Sequence, residues 1–161
     1  MKINKTILTT LILLLILFFG CKKNNILTSS FYDINISTDT VLFETLFTTI
    51  GSTTTRIKCY NNNNGIINIS QINLQNGENS PFRINVDGES GILFKDLSIL
   101  PGDSIFIFIE VTIDPNGSNL PLVVEDEIIF ETNNNLSRVV LNAWGQDAYY
   151  HVNEIVQGIW S

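Results

Sequence analysis

"SIFIFIEVTI", residues 104 to 113, sets Ile105, Ile107, Ile109, Val111 and Ile113 on alternate positions. A period of two is that of an extended strand, whose successive side chains point to opposite faces of a sheet. Pro101-Gly102-Asp103 launches the segment and Asp114-Pro115-Asn116-Gly117 stops it, both by turn chemistry. One face of this strand is therefore wholly aliphatic and belongs in a core. The other carries Phe106, Phe108, Glu110 and Thr112. An outward face should be polar. The two aromatics imply either a cover, such as a loop formed by "ILFKDLSIL" (92–100), or a contact surface.

The same chemistry recurs on both sides. "VLFETLFTTI" (41–50), "TTTRIKCY" (53–60), "IINISQINL" (66–74) and "PFRINV" (81–86) precede the central strand, and "EDEIIFET" (125–132) and "LSRVVLNAWG" (136–145) follow it. Gly, Pro, Asn and Asp punctuate them, and outside the first twenty residues no window keeps a helical apolar period. In "TTTRIKCY", Ile57 and Cys59 alternate with Arg56, Lys58 and Tyr60, which turns Cys59 inward. About seven strands in roughly 105 residues is the count of an all-β immunoglobulin-like β-sandwich, assigned here to residues 39–148. The twenty asparagines reflect a compositional bias, and Asn61 to Asn64 read as a polar turn.

The amino terminus has a different character. Ile7 to Phe19 is an oily run of thirteen residues, too short for the roughly 20 that cross a bilayer, and Lys2 and Lys5 precede it. A positive start and a short apolar core make a secretory signal over residues 1–20. Its end, Leu17-Phe18-Phe19-Gly20-Cys21, resembles the bacterial lipobox. That resemblance implies cleavage between Gly20 and Cys21, a diacylglyceryl thioether on Cys21 and acylation of the new amino terminus, palmitate among the acyl groups. Such chains anchor a protein to a membrane without a spanning helix. Residues 21–38 then read as a lipid-anchored tether, and residues 149–161 as a carboxyl-terminal tail.

Two further resemblances bear on the module. The order of "TTIGSTTTRIKCYNNNNGIINISQINLQNGENSPFRI", "LPGDSIFIFIEVTIDPNG" and "VVLNAWGQDA" is similar to that of ASH/hydin-type and choice-of-anchor D immunoglobulin-like modules. "DTVLFETLFTTIGSTTTRIKCYN", "NSPFRINVDG" and "LNAWGQDAYYH" resemble the amino-terminal module of large Bacteroidetes lipoproteins in which a parallel β-helix follows. The second resemblance implies an outer-membrane address and a partner domain beyond the tail. Asp39-Thr40-Val41 and Asp103-Ser104-Ile105 resemble the O-glycosylation sequon of exported proteins from the same group, with Thr40 and Ser104 as acceptors. Both also stand where a strand begins, a place that favours these residues for backbone reasons.

Charge excludes some partners. Without Lys2 and Lys5 the remaining 141 residues carry seven basic against sixteen acidic side chains, a balance that repels nucleic acid and anionic lipid headgroups alike. Only Cys59 remains beside Cys21, so no disulfide within the module is expected. The sole histidine, His151, lies in the tail, and no nucleophile has a base near it in sequence. Glu110, Asp114, Glu125, Asp126 and Glu127 could supply paired carboxylates or hard oxygen ligands, but without a recognisable spacing.

The sequence thus leads to a non-catalytic cell-envelope lipoprotein with no cofactor and no metal. Its module is read as a spacer or protein-contact domain, with Phe106, Phe108 and Trp144 as the candidate surface. Its partners are the membrane, through the lipid, and a protein or a further domain. The alternatives are a glycan-binding or adhesin module, using aromatics such as Trp144, Tyr149, Tyr150 and Trp160, or a truncated amino-terminal part of a larger β-helix surface protein, with residues 149–161 as the start of the missing domain. The domain could face the periplasm or the cell exterior.

Overall fold

The computed structural model describes residue 5 and residues 25–47, 54–112 and 122–146. Within them lie β1 (Ile26–Leu27), β2 (Asn35–Ile36), β3 (Thr40–Phe47), β4 (Thr55–Tyr60), β5 (Ile66–Leu74), β6 (Phe82–Val86), β7 (Glu89–Gly91), β8 (Leu93–Ile99), β9 (Ser104–Val111), β10 (Leu122–Thr132) and β11 (Asn135–Gln146). The seven expected strands are β3 to β6 and β9 to β11; the other four are additions. One sheet runs β8-β5-β10-β11-β3 with β1 beside the start of β5, and the other runs β2-β4-β9-β6-β7. Most neighbours are antiparallel, but β1 runs parallel to β5 and β3 parallel to β11.

The core lies between the sheets, as the alternation in "SIFIFIEV" requires: Ile105, Ile107, Ile109 and Val111 are buried. They meet Ile67, Ile69, Ile72, Leu74, Ile128, Phe130, Val139 and Leu141 of the other sheet in one cluster. Phe43 and Phe82 stand 5.9 Å apart between ring centroids. Each fully buried aliphatic or aromatic side chain contributes on the order of 1.5–3 kcal/mol. This is an immunoglobulin-like β-sandwich.

β5 shows how a broken period still serves one face. Its buried residues are Ile67 and Ile69, then Ile72 and Leu74, so the alternation slips by one at Ser70-Gln71. On β10, Thr132 pairs with Ile69 while the adjacent Glu131 pairs with Gln71, which is a β-bulge. The extra residue returns both halves of β5 to the core. β8 slips at the same level: Asp96 takes a φ of 56°, and Phe94 and Ile99 are both buried although five positions apart.

Three turns carry legible chemistry. Asp87-Gly88 joins β6 to β7 with φ values of 50° and 93°, and Asn133-Asn134 joins β10 to β11 with 49° and 66°. Both centres are left-handed, as a two-residue hairpin loop needs, and Asn, Asp and Gly tolerate that conformation. Gly102, at φ 74°, completes a turn closed by Asp103 N–H donating to the Leu100 carbonyl at 3.1 Å.

Two expectations need correction. "ILFKDLSIL" is not a loop over Phe106 and Phe108; its residues 93–99 form β8, paired with β5 in the opposite sheet. Asp96, with its left-handed backbone, interrupts the alternation of Leu93 to Ile99, so this strand shows no clean period of two. The second correction concerns residues 21–38, read as a tether. From residue 25 onward this segment is laid into the sandwich: Ile26 pairs with Ile66, Asn35 with Tyr60, and Ile34 is 6% exposed.

The chain enters and leaves at opposite ends. Ile26 lies beside Ile66, next to the turn from Thr132 to Asn135, whereas β11 runs from that turn to Gln146 at the far end. Twelve residues of strand at about 3.3 Å each separate the two ends by roughly 40 Å.

Candidate contact surfaces

β4 and β9 lie side by side, so residues that point out from the core share one outer face. Lys58 pairs with Phe106 and Arg56 with Phe108, and Tyr60 and Arg83 extend the face along β4 and across to β6. Phe106 and Phe108 are stacked, with centroids 6.1 Å apart and planes 25° from parallel. The Lys58 Nζ lies 4.5 Å from the Phe106 centroid and 5.8 Å from that of Tyr60, and the Arg56 Cζ lies 5.6 Å from Phe106. At these distances a cation is attracted to the ring face. Phe106 is thus flanked by both cations and Tyr60 by the lysine. Phe108, further along, keeps 37% of its surface exposed.

Beside Phe108 the face dips into a cavity of about 750 Å³, lined also by Arg83, Asn85, Ser90, Glu78 and Glu110. Thr54 Oγ1 donates to Glu110 Oε1 at 2.6 Å. Arg83 Nη1 donates to the carbonyls of Ser80 and Phe82 at 2.6 and 2.7 Å, which fixes the guanidinium near the rim. The face therefore combines three cations and three aromatics on a chain whose net charge is −7. Among the described residues, the ion pair formed is elsewhere: Arg138 Nη1 to Glu127 Oε2 at 2.8 Å.

Trp144 does not join this surface. It stands on the outer face of the other sheet, 38% exposed, paired with Val123 and bordering a shallow depression with Leu42 and Glu44. The three residues expected to form one surface are divided between two faces of the sandwich.

The acidic residues are likewise dispersed. Glu110 lies on the aromatic face, Glu127 is paired with Arg138, and Asp126 turns inward to 5% exposure. There Asp126 Oδ1 accepts from the N–H groups of Glu127 and Asn76 at 2.7 and 3.1 Å, holding the turn after β5. Among the described residues no three His, Cys, Asp or Glu side chains come together as a metal site would need. Cys59 is fully buried, and burial, with the nearby charge of Asp33, pushes its thiol up to about 12. It is an inert core residue.

Thr40 and Ser104 both open strands and are half-buried. Thr40 N–H and its carbonyl are engaged by Thr38 Oγ1, and Ser104 N–H donates to Asp103 Oδ1 at 2.7 Å. Gly20, Cys21, Asp114, Tyr149, Tyr150, His151 and Trp160 lie outside the described residues.

The asparagines, read as compositional bias, hold the fold's entry. Asn61 is fully buried, and its Nδ2 donates to the carbonyls of Gly65, Ile99 and Leu100 at 2.8, 2.9 and 3.2 Å. Asn63 Nδ2 donates to the Asp33 carbonyl, Asn133 Nδ2 to that of Tyr32 and Asn135 Nδ2 to that of Ser30, at 3.0, 2.9 and 2.9 Å. Three side-chain amides from two turns thus clasp residues 30–33. Position alone could not reveal the clasp, since the carbonyls of Asp33, Tyr32 and Ser30 are each 30 or more residues from the amide that holds them.

No family profile matches the sequence, and no curated protein matches it. Among solved structures the chain is similar to part of a family 123 glycoside hydrolase from Clostridium perfringens, at 13% identity and a TM-score of 0.48, over 68% of this chain and 23% of that one. It is similar to the ASH/PapD-like domain 7 of human CEP192, at 12% identity and 0.46, over 72% and 87%. It is also similar to the E. coli chaperone DraB, at 12% identity and 0.47, over 78% and 59%. The chain thus spans about a quarter of the hydrolase and under two thirds of the chaperone.

Proposed function

We propose that this protein is a bacterial envelope lipoprotein, anchored through Cys21, whose immunoglobulin-like module is a non-catalytic spacer that presents a contact face. The observation that supports it most is the placement of the ends. The chain enters four residues after Cys21 at one end and leaves at Gln146 at the other, a geometry that carries whatever follows roughly 40 Å from the point of attachment. The resemblance to outer-membrane lipoproteins with a following domain fits this arrangement.

The outer face of the β4–β9 sheet is the contact surface in this reading. Stacked aromatics with adjacent cations are suited to a partner that offers carboxylates beside apolar or ring surfaces. A photo-crosslinking residue at Phe108 in living cells is expected to give a discrete adduct that the same residue at Ser70, exposed on β5, does not. Equal and diffuse labelling from both positions would contradict the contact role. An adduct with polysaccharide rather than protein would favour the glycan-binding alternative.

A further inference from the structure

We infer that the end of the sandwich carrying residues 25–33 lies against the lipid bilayer, with Phe31 and Ile26 in its interfacial layer; this rests on the reading of Cys21 as the lipid-bearing residue. The first argument is reach. Three residues separate Cys21 from Asn25, and the four residue-to-residue steps between them span at most about 14 Å when fully extended. Asn25 is already part of the fold, because its carbonyl accepts from Ile66 N–H at 2.8 Å. Acyl chains on Cys21 therefore hold this end near the membrane surface, whatever conformation the intervening residues take.

The second argument is the composition of that end, built from residues 25–33 and the turns at 61–65, 100–103 and 133–136. Phe31 is 85% exposed, Ile26 61%, Leu136 62% and Leu100 51%. Phe31 is supported edge-on by Tyr32, with ring centroids 5.3 Å apart. The clasp of Asn133, Asn135 and Asn63 on residues 30–33 keeps this segment in place, so an exposed phenylalanine here is held out rather than left on a loose strand. Aromatic side chains next to polar amides suit the headgroup layer.

The charge of this end is mixed: the segments themselves carry Asp33 and Asp103 among asparagine, serine and glycine, while Glu131, the cross-strand partner of Leu136, and Asp87, at the turn after β6, border them. Lys22 and Lys23, directly after the anchor, add attraction to an anionic surface. A module docked by this end would stand upright, with the β4–β9 face directed sideways.

The test uses the full acylated chain in liposomes containing bromo-acyl phospholipid, with Trp144→Phe and Trp160→Phe removing the native indoles. The indole introduced by Phe31→Trp is expected to lose emission to the bromines, and that introduced by Phe108→Trp to keep it. Unquenched emission from position 31, in protein whose Cys21 acylation is confirmed by mass, overturns the docking while leaving the anchor intact. Protein recovered from cells without lipid on Cys21 overturns the anchor reading, and the docking with it.

Discussion

A Cβ on Gly65 would stand 2.7 Å from Leu27 Cγ and 2.6 Å from the Asn25 carbonyl oxygen. The entering segment crosses this glycine at a separation that no side chain permits. Gly65→Ala is therefore expected to push residues 25–27 off β5. Amide exchange at Ile66, whose N–H donates to Asn25, should accelerate, and global stability should fall by about 2 kcal/mol. Unchanged exchange at Ile66 would mean that the segment is not seated as described.

Asn61 ties the turn before β5 to the turn after β8, where water does not reach. Asn61→Ala leaves the carbonyls of Gly65 and Ile99 without their donor, and chemical denaturation should register a loss of about 3 kcal/mol. Its neighbours Asn62 and Asn64 are exposed, and alanine there should change stability by no more than about 0.5 kcal/mol. Equal effects at all three positions would contradict the assignment of Asn61 as the buried link.

Thr132 is 1% exposed, and its hydroxyl has no hydrogen-bond partner among the described residues. Thr132→Val removes this buried polar group at nearly constant shape and is expected to stabilise the fold by about 1 kcal/mol. A lower melting temperature would show that the hydroxyl is satisfied.

Cys59 links burial to alkaline sensitivity. Its thiol rises from an ordinary 9.0 to about 12 in the folded protein, so between those values the folded state holds a proton that the unfolded state has released. The stabilisation is fully present below pH 9 and is lost as pH rises toward 12, at about 1.4 kcal/mol per unit. Cys59→Ala should remove that slope. Thiol reagents at pH 8 should label Cys59 only after unfolding.

Much of the sandwich was legible from alternation: the inward Ile105, Ile107, Ile109, Val111 and Cys59 follow from a period of two. β8 was missed because Asp96, in a left-handed conformation, shifts the phase within seven residues. β7 carried a signal in Asp87-Gly88, the preferred centre of a tight hairpin, but three residues are too few to show a period. The contact face was half visible. Phe106 and Phe108 were recognisable as outward aromatics, whereas Lys58 and Arg56 reach them only through the register of β4 on β9. Trp144 fell on the other sheet for the same reason, since facing direction is local and sheet membership is not. The asparagine clasp was illegible, because a side-chain amide gives no sequence signal for an acceptor 101 residues away in Tyr32.

The central claim is that this sandwich is held to a membrane through Cys21, and intact mass spectrometry of the protein extracted from cell membranes tests it most directly. The account predicts a chain that begins at Cys21 and carries the mass of a diacylglyceryl thioether and an amide-linked acyl group. A chain that retains residues 1–20, or one that begins at Cys21 or later with no added lipid, would contradict it.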